Sequence, residues 1–431
     1  LRLPPSIGRR PWWARVMAGA VLLGGLCGGA TWVERETSAS AIVRALAVGP
    51  SPLSVALDDR SGHAFVLSGS PDSPDAASVT MMDTVTGALL RTQAVGRVPQ
   101  ALAVDDRDGH VLVANGDNTV HVLAAQNGVA FFSGHVQSAS TGATMIAVAQ
   151  RADHAFVTGD TAVSMLDAGN GRVLRSIALG VLLTGVAVDT HRDHVFATGY
   201  NGASGVGTVS MLDATSGAVL HTVTLDQSPS PGPTVVDERS GHAFVLDRSI
   251  DSFSIIDTAS GRLLHSINVG AQTYPQAVDG HTGRVFIAVS AESSAGRVRV
   301  LDARSGRILH MVMVGWDPIA LVVAVRAGRV FAVNAGSIAG GSTGSISVLD
   351  ATSGRLVHTV RLGMLPHAAA VDERAGRLVV VGDPVVGVAP VTDVWGWMPP
   401  WLRHWLPFVS QQRRRIPSVS GRASILDLSR L

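Results

Sequence analysis

The chain contains no lysine. Its 34 basic residues are all arginine, and they nearly balance 33 acidic ones, for a formal net charge of +1. With no global positive field, nucleic acid is excluded as an expected partner. Cysteine occurs once, at Cys27, so no intramolecular disulfide can form and the redox compartment is not readable from cysteines. Aromatic residues are sparse at 5%, and tyrosine occurs twice. No two of the 15 histidines are spaced as His-x-x-x-His, the helical metal-ligand pattern. No nucleophile–base pair stands out, nor any carboxylate cluster suited to calcium or a quinone cofactor. No catalytic residue, metal or cofactor is therefore predicted.

What is present is glycine, 47 residues of it, distributed as turns between short apolar runs. A unit of roughly 45 residues, the spacing of a blade-type repeat, recurs from about Val48 to the C-terminus. Each unit has four runs. The first ends in Asp, as in Val55-Ala-Leu-Asp58 and Leu102-Ala-Val-Asp105. After a turn such as Asp59-Arg-Ser-Gly62, the second opens with His or Arg, as in His63-Ala-Phe-Val66 and Arg329-Val-Phe-Ala332. The third is Val209-Ser-Met-Leu-Asp213 and its relatives, and the fourth is Arg355-Leu-Val-His-Thr-Val-Arg-Leu-Gly363 and its relatives. Runs of this length, rich in Val, Ile and Phe and bounded by Gly, Asp and Ser, are strands. Four antiparallel strands make one blade of a β-propeller, and a lone blade cannot cover its own faces, so the blades must close into a ring.

Seven complete units start near residues 50, 97, 141, 181, 227, 271 and 316. An eighth lacks its fourth run, and Ala41-Ile-Val-Arg-Ala-Leu-Ala-Val-Gly49 aligns with Arg355–Gly363 to supply it. The expectation is an all-β propeller of eight blades, seven being the alternative. In it the last blade is closed three-plus-one by the N-terminal strand, leaving no terminal sheet edge unpaired.

Residues 1–40 stand apart. Val16–Val33 is 18 residues without a charge, close to a bilayer span. Arg2, Arg9, Arg10 and Arg15 precede it and Glu34, Arg35 and Glu36 follow, which orients the N-terminus inward. Trp12, Trp13 and Trp32 flank the run as interfacial aromatics do. Residues 14–33 read as a membrane anchor, or, with Gly28-Gly-Ala30 as a small-residue site, as a cleaved signal peptide. Both readings place the propeller, residues 41–431, outside the cytoplasm.

The segment Ala155-Phe-Val-Thr158, followed by Val163-Ser-Met-Leu-Asp167, and the pair Ala332-Val-Asn334 with Ser345–Asp350, resemble the YVTN-type repeat of bacterial and archaeal surface propellers. Phe replaces the usual Tyr of the second run. The resemblance covers nearly all of 42–427 and implies a secreted or cell-surface propeller, commonly without assigned catalysis.

The repeat filters the candidates. His63, His110, His154, His194 and His242 share one register, and His221, His265, His310 and His358 another. The Asp residues closing the first and third runs also recur. All read as turn or strand residues, as do Ser61, Ser216 and Ser305, none of which lies in a nucleophile elbow. Ligands of propellers gather where fourth-to-first-run loops converge on the channel mouth. There the residues that break the repeat are Arg97, Gln100, Thr144, Thr184, Tyr274, Gln276, Trp316, Asp317 and His367. The strongest departure is the insertion at 382–421 in the closing blade. It carries Trp395, Trp397, Trp401 and Trp405, then Arg413, Arg414 and Arg415, a composition suited to a contact with a partner or a membrane, or to a lid on the propeller; a retained anchor on the opposite face would favour partner or lid. The expected function is a non-enzymatic, monomeric scaffold for a protein partner or small ligand at the cell envelope, with a membrane contact only through an uncleaved N-terminal segment. The alternative is a propeller enzyme, a lactonase-like hydrolase or a quinone-dependent dehydrogenase, working at the channel mouth.

Overall fold

The computed structural model describes residues 41–70, 73–136, 144–225, 231–247, 252–269, 273–290, 295–336, 343–384 and 420–431. They form eight four-stranded antiparallel sheets. The first blade is β2 (Pro52–Asp58), β3 (His63–Ser70), β4 (Ser73–Asp83) and β5 (Leu89–Ala94), in chain order from the channel outward. Six more follow the same order: β6–β9 (99–135), β10–β13 (145–178), β14–β17 (182–225), β18–β21 (231–268), β22–β25 (273–313) and β26–β29 (318–361). The eighth consists of β30 (Met364–Asp372), β31 (Arg377–Pro384), β32 (Ser420–Asp427) and, as its outer strand, β1 (Ile42–Pro50). β1 pairs antiparallel with β32 from Ile42 opposite Leu426 to Pro50 opposite Ser420. The eight blades and the three-plus-one closure are as the repeat predicts. The inner strands lie side by side around the ring, and β30 meets β2 to close it.

The core lies between blades. The second strands are buried on both faces because each sheet is sandwiched by its neighbours, and they read as continuous apolar runs. One position per second strand, the third, is an apolar side chain and in six blades a phenylalanine: Phe65, Leu112, Phe156, Phe196, Phe244, Phe286, Phe331 and Val379, each fully buried. At the first boundary Phe65, Leu67, Val79 and Met81 pack against Leu102, Val111, Val113 and Leu123 of the next blade. Truncating one such Phe to Ala costs about 3–5 kcal/mol, from lost burial plus the cavity left behind.

Polar residues fasten the same boundaries. His63 Nδ1 donates to Ala125 O at 3.0 Å, His154 to Ala214 O at 2.8 Å, His194 to Thr258 O at 2.8 Å and His242 to Ala303 O at 3.0 Å. Each bond runs from one blade to the next. Where this register holds Arg, the partner changes to the Asp ending the third strand of the same blade: Arg284–Asp302 at 3.4 Å, Arg329–Asp350 at 3.1 Å and Arg377–Asp427 at 2.7 Å. The run-ending aspartates are turn formers, as expected. Asp213, for example, accepts from the Ser216 N–H and hydroxyl, both at 2.7 Å. These bonds hold the Asp213 carboxyl below its usual range. Gly315 meets a different demand: a Cβ there would fall 2.7 Å from Asn334 Nδ2. Only glycine leaves room for that buried amide, which donates to Ser345 and Ser347 at 3.2 Å.

Candidate functional site

Because strands alternate in direction, the turns joining first to second and third to fourth strands share one face, the turn face. The loops from fourth to first strands open on the other, the loop face. The sequence candidates belong to the loop face. His367, on β30, donates from Nδ1 to Pro52 O of the neighbouring blade at 2.8 Å, and its Nε2 lies 3.6 Å from Asp383 Oδ2. Gln276, on β22, spends its amide N–H on Pro233 O and Phe244 O of the preceding blade. Asp317 holds a left-handed backbone (φ 50°) and accepts from the Ser290 hydroxyl at 3.1 Å. The Arg97 N–H donates to Asp117 at 2.8 Å. Thr144 shares a hydrogen bond with Thr158 at 2.9 Å, and Thr184 donates to Thr198 at 3.5 Å. Gln100 and Trp316 are exposed, Trp316 by 39%. Tyr274 is placed on β22 opposite Ala288. His367, Gln276 and Asp317 thus act between blades and do not converge on a common point. Trp395, Trp397, Trp401, Trp405 and Arg413–Arg415 lie outside the described residues.

One cavity lies along the inner strands of the sixth, seventh and eighth blades, and more of its exposed surface is polar than apolar. It measures about 580 Å³ and is walled by Ala277, Val278, Leu321, Val322, Val323, Ala369, Ala370 and Val371, with Asp59, Arg326 and Glu373 at its turn-face mouth. The carboxyl groups whose acidity burial weakens also lie on the turn face. Burial, then the neighbouring Asp372 and Glu373, raise Asp59. Burial, then Asp58 and Asp59, push Asp106 up to about 6.

Sequence reasoning missed this face. Its signal was the doubled acid ending four first runs: Asp58-Asp59, Asp105-Asp106, Asp237-Glu238 and Asp372-Glu373. The first of each pair forms the turn; Asp58, Asp105 and Asp237 each accept the N–H two residues on. The second reaches along the ring. Glu238 accepts the Thr190 N–H at 2.7 Å, and Glu373 accepts those of Val325 at 2.5 Å and Arg326 at 2.9 Å. The next turn residue reaches the other way: Arg107 to Gln150 O at 3.0 Å, Arg151 to His191 O at 3.1 Å, Arg239 to His281 O at 2.9 Å and Arg374 to Asp59 O at 3.3 Å. Carboxylates pointing back and guanidiniums pointing forward tie successive blades around the turn-face rim.

Comparison with known proteins agrees with this architecture. No curated protein matches the chain. The hydrazine synthase of Kuenenia stuttgartiensis shares 16% identity, with a TM-score of 0.48 over 77% of this chain and 92% of that one. The crystal structure of BamB from Moraxella catarrhalis shares 17% identity, with a TM-score of 0.55 over 79% of this chain and 96% of that one, a likeness of fold. Residues 205–391 match the family model described as outer membrane protein assembly factor BamB.

Proposed function

We propose that this chain is a non-catalytic β-propeller that serves as a protein-interaction scaffold at the cell envelope. The observation that carries this reading is where its polar residues go. The repeated histidines, arginines and aspartates are used in turns and in bonds between blades. The fold likeness to BamB and the match over 205–391 support the same reading, since that family is described as an outer membrane assembly factor. So does the YVTN-type resemblance, which points to surface propellers. In this reading residues 14–33 direct export or anchor the chain, and the propeller works outside the cytoplasm. The insertion between β31 and β32 is the partner contact, with Trp395, Trp397, Trp401, Trp405 and Arg413–Arg415 as its binding residues. Aromatic and arginine side chains carry most binding energy at protein interfaces.

The test replaces 385–419 by a short Gly/Ser linker. The expected variant unfolds cooperatively at the wild-type temperature. It loses the partner that photocrosslinks to a probe placed at Trp401 or Trp405 in the native envelope. A full-length protein that yields no crosslink from either position, or a deletion variant that still co-purifies with the same partner, overturns the proposal.

A further inference from the structure

At the boundary between the fourth and fifth blades, the turn between first and second strands pairs a histidine with a glutamate of the next blade; the sixth blade also carries His at this place, His281, but the next blade offers Val325 there. Elsewhere the third residue of this turn is mostly Arg: Arg60, Arg107, Arg151, Arg239, Arg326 and Arg374. In the fourth blade it is His191, and the residue reaching back from the fifth blade is Glu238. Glu373, the counterpart of Glu238, spends both oxygens on backbone N–H groups. Glu238 spends Oε1 on the Thr190 N–H and turns Oε2 toward His191 Nδ1, at 2.6 Å. Asp189, which ends β14 and is fully buried, completes the group. One ligand atom from each of the three lies within 4.8 Å of the other two.

One imidazole nitrogen and two carboxylate oxygens, gathered from two blades, form a metal-ligand set. We propose that Asp189, His191 and Glu238 bind a divalent transition-metal ion of the zinc class, clamping the fourth blade to the fifth on the turn face. The imidazole argues for zinc over calcium or magnesium, which take oxygen ligands. Three protein ligands leave a position for water. The backbone N–H on Glu238 Oε1 orients the carboxylate so that Oε2 is the ligand atom, as outer hydrogen bonds do in metal sites. The ion replaces the His191–Glu238 hydrogen bond, so their heavy atoms separate by less than an ångström, on the order of the difference between a hydrogen bond and an inter-ligand distance. Its competitor is Arg192, whose guanidinium lies 3.2 Å from Asp189 Oδ2. That side chain is 36% exposed and swings to solvent when the ion enters.

The competition supplies the test. Tag-free protein stripped with EDTA is titrated with zinc chloride by calorimetry, and with magnesium and calcium chloride in parallel. One saturable zinc site is expected, with at least tenfold weaker binding in His191→Gln and in Glu238→Gln, and tighter binding in Arg192→Ala. Zinc raises the unfolding temperature of the wild type and of Arg192→Ala. His191 is 71% exposed, so its variant keeps the fold, which far-UV circular dichroism checks. Absence of a saturable zinc site, or wild-type affinity in both the His191 and Glu238 variants, overturns the proposal.

Discussion

The Thr84 hydroxyl donates to Asp372 Oδ2 at 2.6 Å, across the seam where the eighth blade meets the first. Both residues are buried. The Gly62 carbonyl also lies within reach of this hydroxyl at 2.9 Å. A hydroxyl has one proton, and the charged acceptor at the shorter distance takes it. The seam is the only boundary whose two blades come from opposite ends of the repeat array, so this bond helps hold the ring shut. Thr84→Val keeps the shape and strands a carboxylate oxygen. The expected loss is about 1–3 kcal/mol, the cost of a buried acceptor left without its donor, read as a lower midpoint in urea with an unchanged slope.

The fifth blade presents the converse case. Asp237 is 3% exposed, and its Oδ2 has no partner. Asp237 and Ala303 line one cavity of about 390 Å³ between the fifth and sixth blades. Ala303 holds the place of Thr84 in the repeat: each donates its N–H to the turn glycine of its own blade, Gly283 and Gly62 respectively, at 3.0 Å. Ala303→Thr restores the missing hydroxyl, with the cavity to receive it. A gain of about 1 kcal/mol is expected, the net worth of one hydrogen bond, and thermal unfolding measures it. Introduced into Asp237→Ala, the same substitution gives no gain, which separates the bond from mere filling of space.

The blades, their number and their closure were legible because strand, turn and period are local properties. Val209–Asp213 announces a strand, and Ala214-Thr-Ser-Gly217 a turn, without reference to the rest of the chain. The histidine register was legible as structural, but its bond was not. His63 finds Ala125 O 62 residues away, a distance fixed by how blades stack. The same limit explains the channel-mouth candidates. Gln276 and His367 break the repeat, and the reason emerges only where Pro233 O and Pro52 O of adjoining blades approach them. The doubled acids were discounted because Asp58 and Asp105 do form turns. Asp59, Asp106, Glu238 and Glu373 beside them face along the ring, a direction that has no signature in a single repeat.

Val98 has φ 53°, a left-handed backbone that costs a β-branched residue about 1–3 kcal/mol. It precedes Pro99 at the loop-face mouth, and its side chain is 37% exposed, so little packing depends on it. Val98→Gly relieves the strain at the cost of unfolded-state freedom. The net expectation is a gain of about 1 kcal/mol, seen as a higher unfolding temperature. Val98→Ala leaves the left-handed strain in place and is expected to give a smaller gain.

The pH dependence of stability has two parts of opposite sign. Asp83, Asp213, Asp257, Asp302 and Asp350 are held below the usual carboxylate range by turn hydrogen bonds, and Asp427 is brought to about 2 by Ser429 and Arg377. A lowered folded-state value stabilises above the unfolded value near 3.8, and that contribution is lost as pH falls through the folded value. Asp106 runs the other way. Raised to about 6, its ionised form is penalised in the folded protein, fully so above pH 6, and the penalty fades as pH falls toward 3.8. Stability is therefore expected to rise from pH 8 to about pH 5 and to fall steeply below pH 4. Asp106→Asn removes the contribution of Asp106 to the rise and leaves those of Asp59 and Asp105, which burial also raises. Urea unfolding should find this variant more stable than the wild type at pH 8, with the difference closing between pH 6 and pH 4. An equal gain at pH 8 and pH 4 would mean that the burial of an ionised Asp106 carboxyl beside Asp58 and Asp59 is not its source.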